Sequence, residues 1–311
     1  MSVAIIGGGV AGLTACLYLA RAGISPYHYV GDENQGGLLT KTSIVENYPG
    51  FPDGILGYDL IENMEKQCAE YPMKRYESKV LHVDHVGDVF TVHDSHGNTH
   101  THKAIIIATG STPRRLGLAG EDDLWAHGIS SCAVCDGALY KRKKIVVVGG
   151  GDTACEEALF LTKFSDVTLI HRRGALRASK IMAKRVLNHP KITILWNHVV
   201  VELIDSVTSY DGSKRVLIAI VIEDVNSHER KEMLVDGLFY GLGLVPNSFA
   251  FTNLVPMDSN GFIIKLPDSS KTCTPGVFVA GDVADRRYKQ AITAAGSGCM
   301  AALDALEYLS E

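Results

Sequence analysis

One pattern, present twice, limits this chain more than any other feature: a short apolar run, a tight glycine cluster, then a helical pattern. The first copy is Val3-Ala4-Ile5-Ile6 followed by Gly7-Gly8-Gly9-Val10-Ala11-Gly12, leading into a helical stretch at 13–22. The second is Ile145-Val146-Val147-Val148 followed by Gly149-Gly150-Gly151-Asp152-Thr153-Ala154, leading into 155–164. Strand, Gly-x-Gly-x-x-Gly/Ala and helix together make a dinucleotide-binding turn. The first glycine makes the tight turn, and the second lets the backbone approach a pyrophosphate. The third position is small so that helix and strand pack closely. The helix N-terminus then offers unpaired N–H groups and a positive dipole end to the phosphates. One copy is weak support, because any strand-to-helix turn can use glycine. Two copies about 140 residues apart predict an α/β chain with two Rossmann-like dinucleotide-binding domains.

The remaining punctuation says how the domains are arranged. Apolar runs at 103–108, ending in Thr109-Gly110, and at 276–280, ending in Gly281-Asp282, read as further strands, and 288–309 reads as a long helix. Gly110-Ser111-Thr112-Pro113 and Gly241-Leu242-Gly243-Leu244-Val245-Pro246 carry turn residues and flank the second fingerprint. Read as linkers, they make 113–244 a domain inserted into a discontinuous one formed by 1–112 and 245–311. A length of 311 residues suits two domains of roughly 150.

The end of the second strand selects the nucleotide. An acid there bonds ribose hydroxyls, whereas arginine pairs with a 2′-phosphate. In the second fingerprint, Val167-Thr168-Leu169-Ile170 is followed by His171-Arg172-Arg173, with Arg177 four residues on and no carboxylate. Bidentate arginine–phosphate pairing is strong and specific. The inserted domain is therefore expected to take NADPH. The first fingerprint lacks an acid at the matching place, Tyr27-His28-Tyr29-Val30-Gly31; Asp32 and Glu33 follow it and are the candidates to substitute. Its spacing identifies a dinucleotide site without saying which dinucleotide.

The net charge of −5 gives no electrostatic reason to expect nucleic acid. No apolar run approaches the roughly 20 residues that span a bilayer. The first apolar run is too short for a signal-peptide core and has no basic leader. A cytoplasmic protein is expected. Seven cysteines spread over the chain are no secreted disulfide framework. Five of them sit among apolar or small residues and read as packed thiols. Cys132 and Cys135 alone are close in sequence, in Ser131-Cys132-Ala133-Val134-Cys135-Asp136-Gly137. Two cysteines at this spacing can close a disulfide across a turn, commonly with a lowered thiol pKa, and exchange it readily. Asp136 can give and take the proton of a leaving thiol. Zinc is the competing reading, but a structural zinc site usually needs a second Cys/His pair, and no second Cys-x-x-Cys exists.

With these motifs in hand, the chain resembles the low-molecular-weight thioredoxin reductases over essentially its whole length. The segments that carry the resemblance are Gly36-Gly37-Leu38-Leu39-Thr40, Val45-Glu46-Asn47-Tyr48-Pro49-Gly50-Phe51, Cys132-Ala133-Val134-Cys135-Asp136-Gly137, the second fingerprint with its arginines, Ala280-Gly281-Asp282-Val283, and Gln290-Ala291-Ile292-Thr293-Ala294-Ala295-Gly296. The resemblance implies FAD at the first fingerprint. Asp282 would bond its ribitol chain, Asn47 and the Gln290-Ala291 backbone its ring, and the N-terminus of the last helix would stabilise negative charge on the reduced ring. It implies electron flow from NADPH through flavin to the Cys132–Cys135 disulfide, with Cys135 facing the flavin, Cys132 attacking thioredoxin and Asp136 as acid/base. It also implies a homodimer. Three departures stand out. Leu38 replaces the usual glutamine, Lys289 replaces the usual arginine and loses its bidentate fork, and the loop from Gly31 to Gly36 is short. Tyr308-Leu309-Ser310-Glu311 adds no redox pair, so the larger reductase class with a C-terminal relay is not expected.

Rival functions share parts of this pattern. A dithiol oxidase needs no arginines at 172, 173 and 177; a nucleotide sensor needs no acid beside its thiols; a ferredoxin-type reductase lacks the cysteine pair. The inserted domain carries both the disulfide and the NADPH site, and both must reach one flavin, so it is expected to rotate about the two linkers. Some spacings among His82, His85, His93, His96, His100 and His102 would suit a metal, but the stretch alternates polar and apolar residues around Gly97-Asn98, so they read as surface residues of a hairpin. Leu159, Leu161 and Phe164 read as core, and Lys141-Arg142-Lys143-Lys144 as a solvated turn.

Overall fold

The computed structural model describes residues 2–32, 35–42, 44–207 and 215–310. The chain divides into two compact units, Met1–Thr112 with Val245–Glu311, and Pro113–Leu244.

The first unit is built on a five-stranded parallel sheet, in the order Val277–Val279, Ala104–Ile107, Val3–Ile6, Tyr27–Tyr29, Lys74–Tyr76. Val3–Ile6 and Ala104–Ile107 are buried along their whole length, as strands of a parallel sheet covered on both faces must be. Their alternation divides them between two cores. Val3, Ile5 and Ile106 join Leu13, Cys16, Leu19 and Ala302 under the helices; Ala4, Ile105 and Ile107 join Val83, Phe90 and Val92 on the opposite face. Helices Val10–Arg21 and Ala291–Ser310 cross closely because their facing residues are small. A Cβ on Gly298 would lie 2.2 Å from the Ala11 carbonyl oxygen. The opposite face is covered by an antiparallel sheet of Val80–Val86, Val89–Asp94 and Thr99–His102.

The second unit repeats the plan. Its parallel sheet runs Ile129–Ser130, Gly237–Gly241, Ile145–Gly149, Val167–His171, Ile192–Trp196. Val146 and Val148 face one core, Ile145 and Val147 the other. A three-stranded antiparallel sheet of His198–Val207, Arg215–Asp224 and Arg230–Leu234 accompanies it.

Several expectations need correcting. The fingerprint helices start earlier, at Val10 and Asp152, because the last residues of each fingerprint already form the first helical turn. The last helix starts later, at Ala291. The Asp285 carboxylate accepts the N–H groups of Arg287, Tyr288 and Lys289 and holds that stretch as a turn, with Lys289 at φ +51°. Ser111–Pro113 and Leu244–Pro246 are not loose turns but pair as a two-stranded sheet. Asn247 laces the first-unit side of this crossing, accepting from the Thr112 hydroxyl at 2.9 Å and donating to the Thr109 carbonyl at 2.9 Å. The histidine-rich stretch is three-stranded, and His102 is buried, because it sits at an inward position opposite Phe90 with its ring edge against Tyr27. Cys273 is exposed and Cys299 half-buried, unlike Cys16, Cys68 and Cys155. Inward-pointing Thr272 leaves its neighbour Cys273 facing outward.

Candidate functional site

Each glycine of the first fingerprint does a separable job. Gly7 takes φ +127° and lies so close to the next strand that a Cβ would stand 2.1 Å from the Ala108 carbonyl oxygen. A Cβ on Gly12 would stand 1.9 Å from the Gly7 carbonyl oxygen, so the helix can sit on the turn only without a side chain. Gly9, in contrast, faces open space, with only the Gly36 carbonyl oxygen within 4 Å, at 3.8 Å. Gly9 caps the helix with no side-chain hydrogen bond, leaving the first-turn N–H groups of Val10, Ala11 and Gly12 free of capping side chains. Gly36 and Gly37, both at positive φ, pack beside Gly9 and open the short helical turn Gly37–Lys41, in which Leu38 is half-buried. Sequence reasoning missed His28: its Nε2 lies 2.9 Å from the Gly7 carbonyl oxygen, and burial pulls its pKa down to about 4. A neutral ring therefore donates to the turn from inside. Asp32 reaches away to the Lys79 N–H and the Ser95 hydroxyl; Glu33 lies outside the described residues.

The second fingerprint obeys the same geometry. Gly149, at φ +149°, would place a Cβ 2.5 Å from the Gly241 carbonyl oxygen, while Gly151 has nothing within 4 Å. Ala154 fills the place of Gly12 and packs on Gly241. Gly150 lies against the His171 ring, 2.2 Å from where its Cβ would be. His171 is buried, its Nε2 3.0 Å from the Ala175 carbonyl oxygen, and burial lowers its pKa. It shapes the loop rather than pointing to solvent. The Arg177 N–H donates to the Gly150 carbonyl at 2.6 Å, and the Ser179 N–H donates to the Asp152 carboxylate at 2.9 Å. These bonds fold 172–179 back onto the glycine turn beside Thr153. Arg172, Arg173 and Arg177 are exposed, and among the described residues none forms an ion pair.

In the same unit, Cys132 and Cys135 are joined as a disulfide at the start of the one-turn helix Ala133–Asp136. The Cys132 carbonyl accepts the N–H groups of Cys135 and Asp136, and the Cys135 N–H also lies 3.2 Å from the Cys132 sulfur. Asp136 is largely buried, and desolvation pushes its carboxyl above the ordinary range, against a lowering from Ser130. The Ser130 hydroxyl donates to Asp136 at 2.5 Å and accepts the Cys132 N–H at 3.1 Å. Sequence reasoning passed over Ser130, whose signal was only its place two residues before the first cysteine.

In the first unit, residues far apart in sequence converge. Asn47 Nδ2 donates to Gln290 Oε1 at 3.2 Å. Gln290 precedes the helix that begins at Ala291, and its carbonyl accepts the Ala294 N–H. Asp282 follows Gly281, whose N–H is held by the Ser297 hydroxyl at 2.8 Å. Burial, aided by the charge of Asp285, raises the Asp282 carboxyl to about 6. A half-buried carboxyl of this kind suits a partner that brings hydroxyl groups. Lys289 turns its ammonium over the Phe262 ring, 5.5 Å from its centre. The open faces at Gly9 and Gly151, the uncapped helix ends, the half-buried Asp282 and three arginines with no ion pair among the described residues fit two dinucleotides, one carrying an additional phosphate.

Comparison with known proteins agrees with this geometry. The profile of the pyridine nucleotide-disulphide oxidoreductases matches residues 1–298. The chain is 46% identical to a thioredoxin reductase of Yarrowia lipolytica over 319 residues, covering 99% of this chain and 98% of the relative. It is 46% identical to one from Streptomyces clavuligerus, covering 99% and 94%. Among solved structures, thioredoxin reductase from Streptococcus pyogenes superposes with a TM-score of 0.91 at 35% identity, covering 99% and 97%. That from Giardia duodenalis superposes with 0.90 at 36% identity, covering 100% and 99%.

Proposed function

The chain belongs to the pyridine nucleotide-disulphide oxidoreductases and, among them, to the thioredoxin reductases, and on that premise we propose how its residues divide the work. It is an NADPH-dependent thioredoxin-disulfide reductase that uses FAD. In our reading, 1–112 with 245–311 holds the FAD and 113–244 holds NADPH and the redox pair.

Bound FAD supplies the two-electron link between NADPH and a disulfide. The chain's part is to hold, orient and move protons. Gly7 to Gly12 and the uncapped helix end receive the flavin nucleotide's pyrophosphate, with Gly36 and Gly37 closing over Gly9. Asp282 bonds hydroxyls of the ribitol chain, and Asn47, Gln290 and the Ala291 N–H orient the ring. Lys289 adds a cation nearby without an arginine's fork. Gly149, Gly151 and the Asp152–Thr153–Ala154 turn receive the second pyrophosphate. Arg172, Arg173 and Arg177 hold the 2′-phosphate, on a loop that His171 and Asp152 fix in place.

The cysteine pair carries the exchange. Two electrons and two protons convert Cys132–Cys135 to a dithiol. The Cys132 thiolate attacks one sulfur of the thioredoxin disulfide, forming a mixed disulfide and releasing a thiolate. Asp136 gives that thiolate its proton, burial having pushed its carboxyl above the ordinary carboxylate range. Asp136 then takes the Cys135 proton, the Cys135 thiolate attacks Cys132 to re-form the pair, and the departing thioredoxin thiolate takes up that proton to complete reduced thioredoxin. Because the disulfide and the NADPH site share one unit and both serve one flavin, the inserted unit rotates about its two crossings during turnover. The enzyme works as a homodimer in the cytoplasm, a reducing compartment where such a disulfide is catalytic rather than structural. None of the described helices is long and apolar enough to cross a membrane.

One observation carries this reading: the Cys132–Cys135 disulfide, with the half-buried Asp136 held by Ser130, lies in the same unit as Arg172, Arg173 and Arg177, which form no ion pair among the described residues. An anaerobic titration tests it. The purified protein should be yellow, bleach with excess NADPH, and regain colour with oxidised thioredoxin. A colourless protein that binds no FAD sinks the assignment; bleaching by dithiols but not by NADPH favours a dithiol oxidase.

A further inference from the structure

The outer face of the first unit's antiparallel sheet holds a cluster that reductase chemistry does not use. The pairing of Val80–Val86 with Val89–Asp94 contains a bulge between Val80 and His82. Val80 pairs with Asp94, so an unbroken register would set Leu81 opposite His93; the extra residue sets His82 there instead. The two imidazoles stack, with centres 4.0 Å apart and planes 11° from parallel. Asp84, two residues on from His82 and on the same face, brings Oδ2 to 2.8 Å from His93 Nε2 and 4.0 Å from His82 Nε2. All three ligand atoms lie within 4.8 Å of one another. Among the described residues, His82 has no other hydrogen-bond or ion-pair partner, so one carboxylate oxygen is shared by two imidazoles.

We propose that His82, Asp84 and His93 form an open binding site for a divalent transition-metal ion of the zinc class. Zinc binds nitrogen at roughly 2.0–2.1 Å and oxygen at roughly 2.0–2.2 Å, which puts ligand atoms about 3.3 Å apart around a tetrahedral ion. The observed separations of 2.8 and 4.0 Å bracket that value, so small side-chain rotations suffice. Two imidazoles and one carboxylate favour zinc, nickel or copper over magnesium or calcium, which prefer all-oxygen shells. Three protein ligands leave coordination positions for water. The side chains of His82 and Asp84 are 56% and 60% exposed, giving the ion direct access from solvent. Because the ligands come from two neighbouring strands, the ion would clamp the sheet across its bulge.

The test uses tag-free, FAD-loaded protein in its oxidised form, so that the Cys132–Cys135 sulfurs are not available as ligands. Zinc is titrated by calorimetry, and cobalt serves as a spectroscopic probe. One saturable equivalent is expected, with a rise in the thermal midpoint. His82→Ala and His93→Ala should each weaken it at least tenfold. Cys273→Ser, which removes the exposed thiol, should leave it unchanged. Retained thioredoxin reduction in the metal-free variants verifies their fold. An isotherm that is the same in the wild type and the His82→Ala/His93→Ala double variant overturns the proposal, whether both bind zinc or neither does.

Discussion

The two glycine turns share one plan and part company at a single point. In both, the first glycine presses on a neighbouring backbone, the second faces open space, and the third position is small enough for the helix to sit on the turn. Register aligns the strands beyond them. Ile6 pairs with Tyr29 in the first unit and Val148 with Ile170 in the second, so Val30-Gly31-Asp32 occupies the place of His171-Arg172-Arg173. The first turn ends in a glycine and an acid that bonds inward to Lys79 and Ser95. The second ends in two arginines that form no ion pair among the described residues. Backbone geometry makes a dinucleotide cradle; in our proposal the charge at the strand end selects the dinucleotide.

That difference can be broken directly. Replacing Arg172, Arg173 and Arg177 together with alanine removes the pairing groups for a 2′-phosphate. With charge-assisted hydrogen bonds contributing roughly 1.5–3 kcal/mol each, kcat/KM for NADPH should fall by at least about 10³-fold. The value for NADH should change little, because NADH has no such phosphate. Steady-state kinetics with both nucleotides checks this. An equal loss for both would show that the arginines support the fold or the common part of the nucleotide.

The shared plan has its own test. Gly12→Ala places a methyl group where the Gly7 carbonyl oxygen already is, so it should destabilise the first unit by roughly 3 kcal/mol or more. Gly151→Ala meets nothing in the protein, so stability should hold while NADPH binding weakens, because the methyl group occupies the space of the pyrophosphate. Chemical unfolding and NADPH titration separate the two outcomes. Equal destabilisation by both substitutions would contradict the division of roles.

Much of this was legible in the sequence because dinucleotide turns tolerate few residues. A glycine that must lie against a carbonyl oxygen leaves a mark at a fixed spacing, as does an arginine at a strand end. The Cys-x-x-Cys-Asp run was equally readable, since its members are neighbours in the chain. What escaped was whatever depends on distant partners. Asn47 and Gln290 were placed at one ring by family resemblance alone, and their direct hydrogen bond across 243 residues of sequence left no local mark. His28 is a donor to the glycine turn only because the parallel register sets it opposite Ile5. Ser130 matters through two hydrogen bonds that no spacing rule describes. The histidine cluster was read as ordinary surface because a bulge shifts register by one residue, and composition carries no trace of it. His102 went inward for a related reason: strand parity, not residue type, decided its side.

Asp282 sharpens the comparison from the first unit's side, where a half-buried carboxyl lies among the residues proposed to hold the cofactor. Its carboxyl is raised from 3.8 to about 6, so the folded FAD-free protein holds that proton more tightly than the unfolded chain. The resulting stability is fully present below pH 3.8 and is lost as pH rises through about 6. Asp282→Asn removes the charge and keeps the shape. It should stabilise the FAD-free protein at pH 7 by roughly 2–3 kcal/mol, with the gain fading toward pH 4. The same substitution should weaken FAD binding. Denaturant unfolding across pH 4–8 and flavin fluorescence measure the two effects, and a pH-independent difference would remove the titration of Asp282 as its cause.

The smallest effect bears on the point where the turns diverge. If the first cradle takes its ligand without an acid at the strand end, Asp32 is a structural cap and nothing more. Its carboxylate accepts from the Lys79 N–H and, at 2.9 Å, from the Ser95 hydroxyl, tying the strand end to the antiparallel sheet. Asp32→Ala should then lower stability by about 1 kcal/mol, the ordinary net value of such bonds, and leave FAD affinity within about threefold. Arg172→Ala should behave in the opposite way, with stability unchanged and NADPH affinity reduced, because an exposed arginine with no ion-pair partner contributes little to the fold. A tenfold loss of FAD affinity in Asp32→Ala, with stability intact, would make Asp32 a ligand after all. The two strand ends would then differ only in the sign of the charge they present, and not in whether they present one.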